Sequence, residues 1–400
     1  MRVLVVHNRY SAATPSGENV SVDHEVAWLR EAGLDVAVHE VSNDDVLGAG
    51  AGVKLRAAAE TPWSPRAAAR FDEAARAARP DLVHVHNLFP LLTASVPARA
   101  LRAGLPVVWT ARNLRVVCVE GTHFRDGHDC AECRPGWRLP GVRYGCYRGS
   151  VPASALVTGA TALFRRVARR RVTTVAISET MRDWLVGEAG FAPERVRVKY
   201  NGVPAPSPES TDAGPAARRT FLFVGKFAAY KGVDLLLDAW RRVAHPDAAL
   251  CFVGDGPLAG RVREATADPR ITWVGAVPPS EVAEHMARAR AVVVPSVWDE
   301  PFGRVAAEAL ALGRPVVTTG RGGLAEVVGD EAGWITGTGP AALARAIDEA
   351  AGSDEAVTRR GAAGRRRHAE AFSPEATTRA LLAVYEEALT GHRRGGHSAR

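Results

Sequence analysis

Two glutamates eight positions apart, Glu300 and Glu308, are the residues whose type and spacing most directly suggest ligand binding. The apolar residues 291–296 predict a buried parallel strand, and residues 305–312 predict a helix that follows it. Glu300 is therefore expected at the carboxyl end of a strand, where open α/β sheets bind their ligands. Because carboxylates accept paired hydrogen bonds from vicinal diols, these residues suit a sugar or a ribose. The alternative is an acidic loop and a solvated helix residue without a site.

Two lysines five positions apart come after another predicted strand. Residues 221–224 are apolar, Gly225 lets a backbone approach closely, and Lys226 and Lys231 follow. An ammonium group is a compact point charge that suits phosphate oxygens. The pattern indicates a diphosphate clamp, whereas two lysines near a turn are otherwise ordinary solvated residues.

Five motifs in a fixed order resemble the family 4 retaining nucleotide-sugar glycosyltransferases. The likeness covers nearly the whole chain and implies the GT-B architecture, an α/β fold of two Rossmann-like domains whose parallel sheets face each other across a cleft. In that architecture the second domain holds most of the nucleotide sugar. The motifs are G-K-x4-K-G from Gly225, V-G-D-G-P from Val253, W-V-G-x-V from Trp273, P-S-x-W-D-E-P-F-G from Pro295 and G-x-P-V-V from Gly313.

The resemblance also implies roles for residues of the second domain. Glu300 would contact hydroxyls of the donor sugar, and Glu308 would contact the ribose diol. Backbone amides of Phe302 and Gly303 would face the sugar, and Val277 would lie near the base. All of these are donor-side roles, so the second domain is expected to hold the nucleotide.

The implied reaction moves a hexosyl or N-acetylhexosaminyl group from a nucleoside diphosphate sugar to an acceptor hydroxyl, with retention of configuration. Lys226 and Lys231 would stabilise the leaving diphosphate in place of a divalent metal, so no cofactor is expected for catalysis. The family usually has arginine at the first of these positions; Lys226 keeps the charge without the bidentate geometry. A uridine diphosphate sugar is the first expectation and a guanosine diphosphate sugar the second.

Three residues of the first domain are candidates for the cleft. Gly17 lies in the loop 8–19, before a helix predicted from about Val20, where the family has a glycine pair near the donor phosphates or the acceptor. Asn87 stands at the predicted end of a strand and is a candidate acceptor contact. Arg112 occupies the position of a family histidine beside the donor sugar, and a fixed cation there can stabilise charge but cannot shuttle a proton.

Two histidines, His84 and His86, lie on one face of the strand that ends at Asn87. Isolated histidines on an apolar strand are typically hydrogen-bonded core residues, so no catalytic role is predicted for them. Cys251, within another strand, is likewise predicted to be a core residue.

Four cysteines fall in one polar, glycine-rich stretch with the spacing C-x11-C-x2-C-x12-C. The C-x2-C pair with two flanking cysteines is similar to structural zinc sites, which take four thiolates in a tetrahedron. A metal would order a loop that has little apolar core of its own. A disulfide pair, which is unusual in a reducing cytoplasm, and free thiols are the alternatives. The four residues are Cys118, Cys130, Cys133 and Cys146.

The chain length indicates two domains, because 400 residues exceed what one hydrophobic core usually supports. Predicted strands alternate with helices over both halves, which favours parallel sheets. The resemblance implies that the last helix crosses back onto the first domain. The predicted segments are residues 1–203 (acceptor domain, with a cysteine-rich insertion over 118–146), 204–219 (linker), 220–372 (nucleotide-sugar domain), 373–390 (final helix) and 391–400 (flexible tail).

The net charge of +7 indicates a negatively charged partner, and nucleotide diphosphates, anionic lipid or nucleic acid would all satisfy it. The opening M-R-V-L-V-V-H-N is too short for a signal peptide and no apolar run is long enough to span a membrane, so a cytoplasmic protein is expected. In the basic run 162–171, Leu163, Val167 and Ala168 fall at helical spacing. The arginines would then face either solvent or the inner surface of the membrane.

Other functional classes fit less well. An NAD-dependent oxidoreductase predicts G-x-G-x-x-G after the first strand, where the chain has N-R-Y-S-A-A-T. A nucleic-acid module should interleave aromatic and basic residues, yet Phe164 is the only aromatic residue of the basic run, so no nucleic-acid partner is expected. The expected acceptor is a growing cell-surface polysaccharide or lipid-linked saccharide. A small natural product of the aminoglycoside kind is the alternative.

Overall fold

The structure, a computed structural model, describes residues 1–12, 16–134, 138–204 and 219–397, with side chains as far as residue 392. Contacts divide the chain into two compact units. Most of the linker predicted over residues 204–219 lies outside the described residues. The first unit comprises Met1–Arg125, Cys130–Gly202 and Thr377–Arg400, and the second comprises Asp126–Asp129 and Val203–Ala376.

The first unit contains a six-stranded parallel sheet in the order β2-β1-β3-β4-β7-β8. Its strands are almost continuously apolar because helices cover both faces of such a sheet. Residues 3–6 of the first strand, for example, are fully buried. The strands are β1 (Arg2–Arg9), β2 (Asp35–Ser42), β3 (Leu82–Val85), β4 (Val107–Ala111), β7 (Thr173–Ala176) and β8 (Val196–Val198), and the short β5 (Phe124–Arg125) and β6 (His128–Asp129) lie in the predicted insertion.

Two helices of the first unit differ from expectation. The first begins at Gly17 rather than near Val20, because the Ser16 hydroxyl caps it by accepting from the backbone N–H of Asn19 at 3.3 Å. The basic helix buries Phe164, while Leu163 is only half-buried. The helices are α1 (Gly17–Glu31), α2 (Asp44–Leu47), α3 (Ala51–Glu60), α4 (Pro65–Ala78), α5 (Ser95–Arg102), α6 (Leu139–Arg143), α7 (Val151–Ala168) and α8 (Glu179–Asp183).

The burial of α7 has a simple cause. The ring of Phe164 packs edge-on against Trp109 of β4, with ring centroids 4.6 Å apart. Thr161, Phe164 and Ala168 are the buried residues here, so Ala168 of the predicted inner face is buried, whereas Leu163 and Val167 are only half-buried.

The second unit repeats the architecture with a six-stranded sheet in the order β11-β10-β9-β12-β13-β14, again parallel. The strand order reverses at β9, which lies between β10 and β12, and ligands of open α/β sheets bind beside such a reversal. The sequence predicted every strand but the last. The strands are β9 (Arg219–Val224), β10 (Ala248–Val253), β11 (Ile271–Gly275), β12 (Ala291–Val294), β13 (Val316–Thr318) and β14 (Gly333–Ile335).

The second unit has its own core, in which aromatic residues of β9 and β10 pack against the helices, as Phe221 does against Trp240. The helices are α9 (Val233–Trp240), α10 (Ala259–Ala265), α11 (Pro279–Arg288), α12 (Arg304–Ala311), α13 (Gly323–Val328), α14 (Pro340–Gly352) and α15 (Asp354–Arg367), and the chain ends with α16 (Pro374–His397). Two parallel-sheet α/β units confirm the predicted fold class.

The last helix, α16, contributes most of its length to the first unit. Leu381, Val384 and Tyr385 pack into the core beneath β1. The helix continues to His397, beyond the predicted end at residue 390 and into the predicted tail. Residues 390–397 contain no proline, and their three glycines weaken a helix without removing its hydrogen bonds.

Candidate active site

In the second unit the chain turns sharply after β9 and β12, the two strands beside the reversal of strand order. Gly232 adopts a left-handed conformation with φ of 74°, and a Cβ atom on it would lie 1.8 Å from the carbonyl oxygen of Pro295. Only glycine allows that approach. The loop that carries Lys231 is thereby pressed against the segment that follows β12, which carries Glu300.

Glu300 is held by three donors on one of its two carboxylate oxygens. Its Oε1 accepts hydrogen bonds from Ser296 Oγ at 2.8 Å, from Trp298 Nε1 at 3.2 Å and from the ammonium of Lys231. Among the described residues none donates to its Oε2. The predicted position at a strand's carboxyl end is correct, and one oxygen of the carboxylate is available for a ligand.

Burial by itself would raise the pKa of Glu300, but the positive charge of Lys231 and then the hydrogen bonds lower it below its ordinary value. The carboxylate is therefore ionised at neutral pH. The Glu300 side chain is 9% exposed and that of Lys231 is 28% exposed, so the cation still reaches solvent. The ammonium lies 5.3 Å from the ring centre of Trp298, a cation–π distance that also fixes its position.

Glu308 is the fifth residue of α12 and is paired within its own helix. Arg304 Nε donates to Glu308 Oε1 at 2.7 Å, an i,i+4 ion pair of partly exposed side chains. The sequence analysis did not single out Arg304, although its spacing from Glu308 is the signal for such a pair. A diol at Glu308 would therefore meet a carboxylate that is already oriented by a guanidinium.

The other predicted donor-side residues differ in burial. The ring of Phe302 is buried against Phe372, with centroids 5.6 Å apart, so only its backbone could serve a ligand. Gly303 starts α12 with φ of 101°, which favours glycine. Lys226 is exposed in the turn after Gly225 and contacts neither Lys231 nor Glu300, while Val277 is half-buried between β11 and α11.

The first unit has a pocket of its own at the carboxyl ends of β3 and β4. Asn87 lines it, but both of its amide hydrogens are already used, because Nδ2 donates to the carbonyls of Asn8 at 2.7 Å and Phe89 at 3.1 Å. Asn87 thus fastens the loop after β3, which leaves it little capacity for the predicted acceptor contact. Gly17 is exposed at the start of α1 and does not line the pocket.

Arg112 also lines this pocket but belongs to a buried ionic cluster. Its guanidinium donates to Glu25 Oε2 at 3.1 Å and to Asn201 Oδ1, and Lys199 donates to the same glutamate oxygen. Burial would raise the pKa of Glu25, but the charges of Lys199 and then Arg112 lower it. Glu25 could have been suspected from the sequence, since it lies at helical spacing among Val22, Val26 and Leu29. Arg112 is primarily an ion-pair partner.

Glu25, His84 and His86 are, among the described residues, the set of metal-binding side chains whose ligand atoms lie within 4.8 Å of one another. A metal cation does not suit the set, because Lys199 and Arg112 already place two positive charges beside the carboxylate. His84 is satisfied by Tyr385 at 2.6 Å and Thr110 at 2.8 Å, as predicted for a core residue. Burial lowers the pKa of His84 to about 4, so the ring is neutral.

The four clustered cysteines carry free thiols. No three of their sulfur atoms lie within 4.8 Å of one another among the described residues, whereas four thiolates on one zinc ion would be closer. The sulfur atoms still interact: burial first, and then the neighbouring thiols, raise the pKa of Cys146 to about 11. A cation would relieve that repulsion if the loop closed further, and the structural zinc stays a prediction.

In the described part of the chain, no helix combines the length and the apolar character needed to cross a membrane. The exposed arginines at the end of α7, Arg166, Arg169, Arg170 and Arg171, form a basic patch on the first unit.

Two family descriptions match successive parts of the chain. The Glycosyltransferase Family 4 description covers residues 15–205, and Glycosyl transferases group 1 covers residues 218–352. The chain therefore belongs to the family 4 glycosyltransferases. It is similar to the D-inositol 3-phosphate glycosyltransferase 1 of Catenulispora acidiphila, with 30% identity over 343 residues that cover 78% of this chain and 73% of that protein.

A second relative is the glycogen synthase of Mycobacterium tuberculosis, 27% identical over 98% of this chain and 96% of its own. For three other curated relatives the chain spans only 60%, 64% and 64% of their length. The crystal structure of HepE from Anabaena in complex with UDP and glucose superposes with a TM-score of 0.67 and 18% identity, covering 96% of this chain and 99% of that one. This likeness confirms the predicted GT-B fold.

Proposed function

We propose that this protein is a retaining glycosyltransferase that moves a hexosyl or N-acetylhexosaminyl group from a nucleoside diphosphate sugar to an acceptor hydroxyl. The observation that carries the proposal is the Lys231–Glu300 pair beside the reversal of strand order in the second unit. It sets a partly exposed cation next to a carboxylate that has one oxygen without a donor. A diphosphate and a sugar hydroxyl are the groups that these two positions recognise.

We assign the donor roles from the family resemblance. Glu300 Oε2 accepts from a hydroxyl of the donor sugar, while Lys231 contacts the diphosphate and Lys226 adds a second charge from the turn after Gly225. Glu308, oriented by Arg304, accepts from the ribose diol. The backbone amides of Phe302 and Gly303 face the sugar, and Val277 lies near the base.

The reaction breaks the bond between the anomeric carbon and the diphosphate oxygen, and negative charge collects on that diphosphate. Lys231 and Lys226 stabilise the charge where it develops, so no metal ion is required for the chemical step. Retention follows if the acceptor hydroxyl attacks from the face that the diphosphate leaves. Its proton then passes to an oxygen of the departing diphosphate.

Uridine diphosphate is the first choice of nucleotide, supported by the UDP that the similar HepE structure contains, and guanosine diphosphate is the second. The acceptor belongs to cell-surface polysaccharide or glycolipid assembly. Nucleotide sugars are cytoplasmic metabolites, so we expect a cytoplasmic enzyme whose basic patch on α7 contacts anionic lipid at the inner membrane face. A small acceptor of the aminoglycoside kind is the alternative, and no nucleic acid takes part.

The proposal is tested by calorimetric titration with UDP, GDP, ADP and NAD, followed by a donor-hydrolysis assay with the corresponding nucleotide sugars. We expect one of the nucleoside diphosphates to bind, and we expect Glu308→Ala to lower its affinity. Glu300→Gln should keep diphosphate binding and lose turnover, because the diphosphate contacts the lysines and not this carboxylate. Binding of NAD alone, or of no nucleotide, would refute the proposal.

A further inference from the structure

The pocket of the first unit contains a guanidinium without a carboxylate partner. Arg115 lies between two aromatic rings, 5.1 Å from the ring centre of Phe89 and 5.8 Å from that of Tyr147. Those two rings meet edge to face with centroids 5.6 Å apart. The cation is thus held by cation–π contacts and by a hydrogen bond with Tyr10, and in the described part of the chain no carboxylate forms an ion pair with it.

Glu18 attracts Arg115 through its charge but forms no ion pair with it. Glu18, which lines the same pocket, accepts from Tyr10 Oη at 3.2 Å and from Asn113 Nδ2 at 3.4 Å. The other cation of the pocket wall, Arg112, is matched by Glu25. Arg115 is therefore the charge of this pocket that lacks a directly bonded counterpart.

The pocket wall also has buried donors without a hydrogen-bond partner. They are the Nε atoms of Arg112 and Arg115. The buried ring of His86 has an acceptor nearby, since its Nε2 lies 3.4 Å from Glu25 Oε1. Buried polar groups are nearly always satisfied, so the two unmatched guanidinium donors point to a ligand with acceptor oxygens.

We propose that this pocket binds an oxyanion of the acceptor, a phosphate or a carboxylate, with Arg115 as its main ligand. The planar guanidinium fork matches such a group with two parallel hydrogen bonds, which a neutral sugar hydroxyl cannot accept. Arg112 supplies a further donor at the same wall. The apolar remainder of the lining, which includes Trp109 and Phe164, excludes water from the bound anion. The proposal rests on the proposed glycosyltransferase function and narrows its acceptor to an anionic one.

The test measures binding of glucose 6-phosphate and of glucose to the full-length protein saturated with UDP. We expect the phosphorylated sugar to bind at least tenfold more tightly. Arg115→Gln should abolish that preference, and Arg115→Lys, which keeps the charge but not the fork, should restore only part of it. Arg56→Gln is the matched control, because Arg56 is exposed on α3 away from the pocket and its loss removes the same charge.

The outcomes separate the possible sources of the anion. A phosphate preference that survives Arg115→Gln, or no preference in the natural protein, would overturn the proposal. Weakened UDP binding in Arg115→Gln without any phosphate preference would assign the guanidinium to the donor diphosphate and would also overturn it. If the affinity for UDP stays within twofold in every variant, the donor site is intact. A negative result for the phosphate preference then counts against the anion pocket and not against the proposed function. Thermal unfolding midpoints of all variants check that each one is folded.

Discussion

Removing Lys231 should both destabilise the second unit and invert the pH dependence of its stability. In the natural protein the ammonium of Lys231 holds Glu300 ionised despite its burial. In Lys231→Met the carboxylate keeps its hydrogen bonds from Ser296 and Trp298 but loses the opposite charge. The variant then has a buried negative charge without a counter-ion. Breaking an ion pair by removing only one partner is strongly destabilising.

The magnitude follows from burial and distance. Two unit charges in contact near a protein surface interact by about 4 kcal/mol at an effective dielectric constant of roughly 20. Breaking a buried pair by removing one partner costs about 3–5 kcal/mol, and solvent at the 28% exposed Lys231 side chain moves the expected loss to about 2–3 kcal/mol at pH 7.

The sign of the pH effect is opposite in the two proteins. The pKa of Glu300 is lower in the folded natural protein than in the unfolded chain, so its stabilisation is present at neutral pH and lost as pH falls through the folded pKa. In Lys231→Met burial dominates and the folded pKa lies above the unfolded one. The variant should therefore lose stability as pH rises through the unfolded value, and its deficit should shrink near pH 4.

Urea unfolding of the full-length protein at pH 7 and near pH 4, followed by tryptophan fluorescence, measures these changes. Glu300→Gln and the double variant Lys231→Met/Glu300→Gln complete a cycle that isolates the pair. We expect the double variant to be more stable than Lys231→Met at pH 7, since the uncompensated charge is gone. Equal stability of Lys231→Met and the natural protein at both pH values, with no coupling in the cycle, would show that the reasoning about this pair is wrong.

Three further predictions address other parts of the chain. Glu308→Ala should weaken binding of the nucleoside diphosphate by about 1–3 kcal/mol, because charged hydrogen bonds to the ribose are lost. Calorimetry measures this change in affinity. Metal analysis of tag-free protein purified under reducing conditions should find about one zinc per chain, reduced in Cys133→Ser; metal-free protein would end that prediction. Glu25→Gln leaves Lys199 and Arg112 buried without their anion, so it should lower stability at pH 7 more than at pH 3, measured by urea unfolding at both.

The alternation of apolar runs and helices was enough to predict the sheets, because strands that are buried on both faces appear in the sequence as short apolar runs. The exceptions are the two-residue strands β5 and β6, and β14, which begins with glycine and ends with an exposed isoleucine and so shows no apolar run. Helix boundaries depended on local capping: the Ser16 hydroxyl moved the start of α1, and the absence of a proline let α16 continue. A hydropathy pattern does not reveal such local details.

The sequence singled out Lys231 and Glu300 separately but did not predict that they form a pair. Lys231 and Glu300 are 69 positions apart and were given separate ligands, a diphosphate and a sugar, whereas the structure joins them to each other. Arg112 and Glu25 are 87 positions apart, and no local spacing connects them. Residue types identify chemistry that is available, but only the fold decides which charges neutralise one another.

The two buried ion pairs differ in their exposure to solvent, and this difference indicates different functions. Lys199 is 4% exposed and its partner Glu25 is 6% exposed, so neither can exchange its counter-ion for a ligand without opening the core. Lys231 forms the same kind of pair but is 28% exposed, and its glutamate has a free oxygen. An arriving diphosphate can therefore share that ammonium while Glu300 keeps two neutral donors and stays anionic. The pair in the first unit stabilises the fold; the pair in the second unit is the one that can bind a donor.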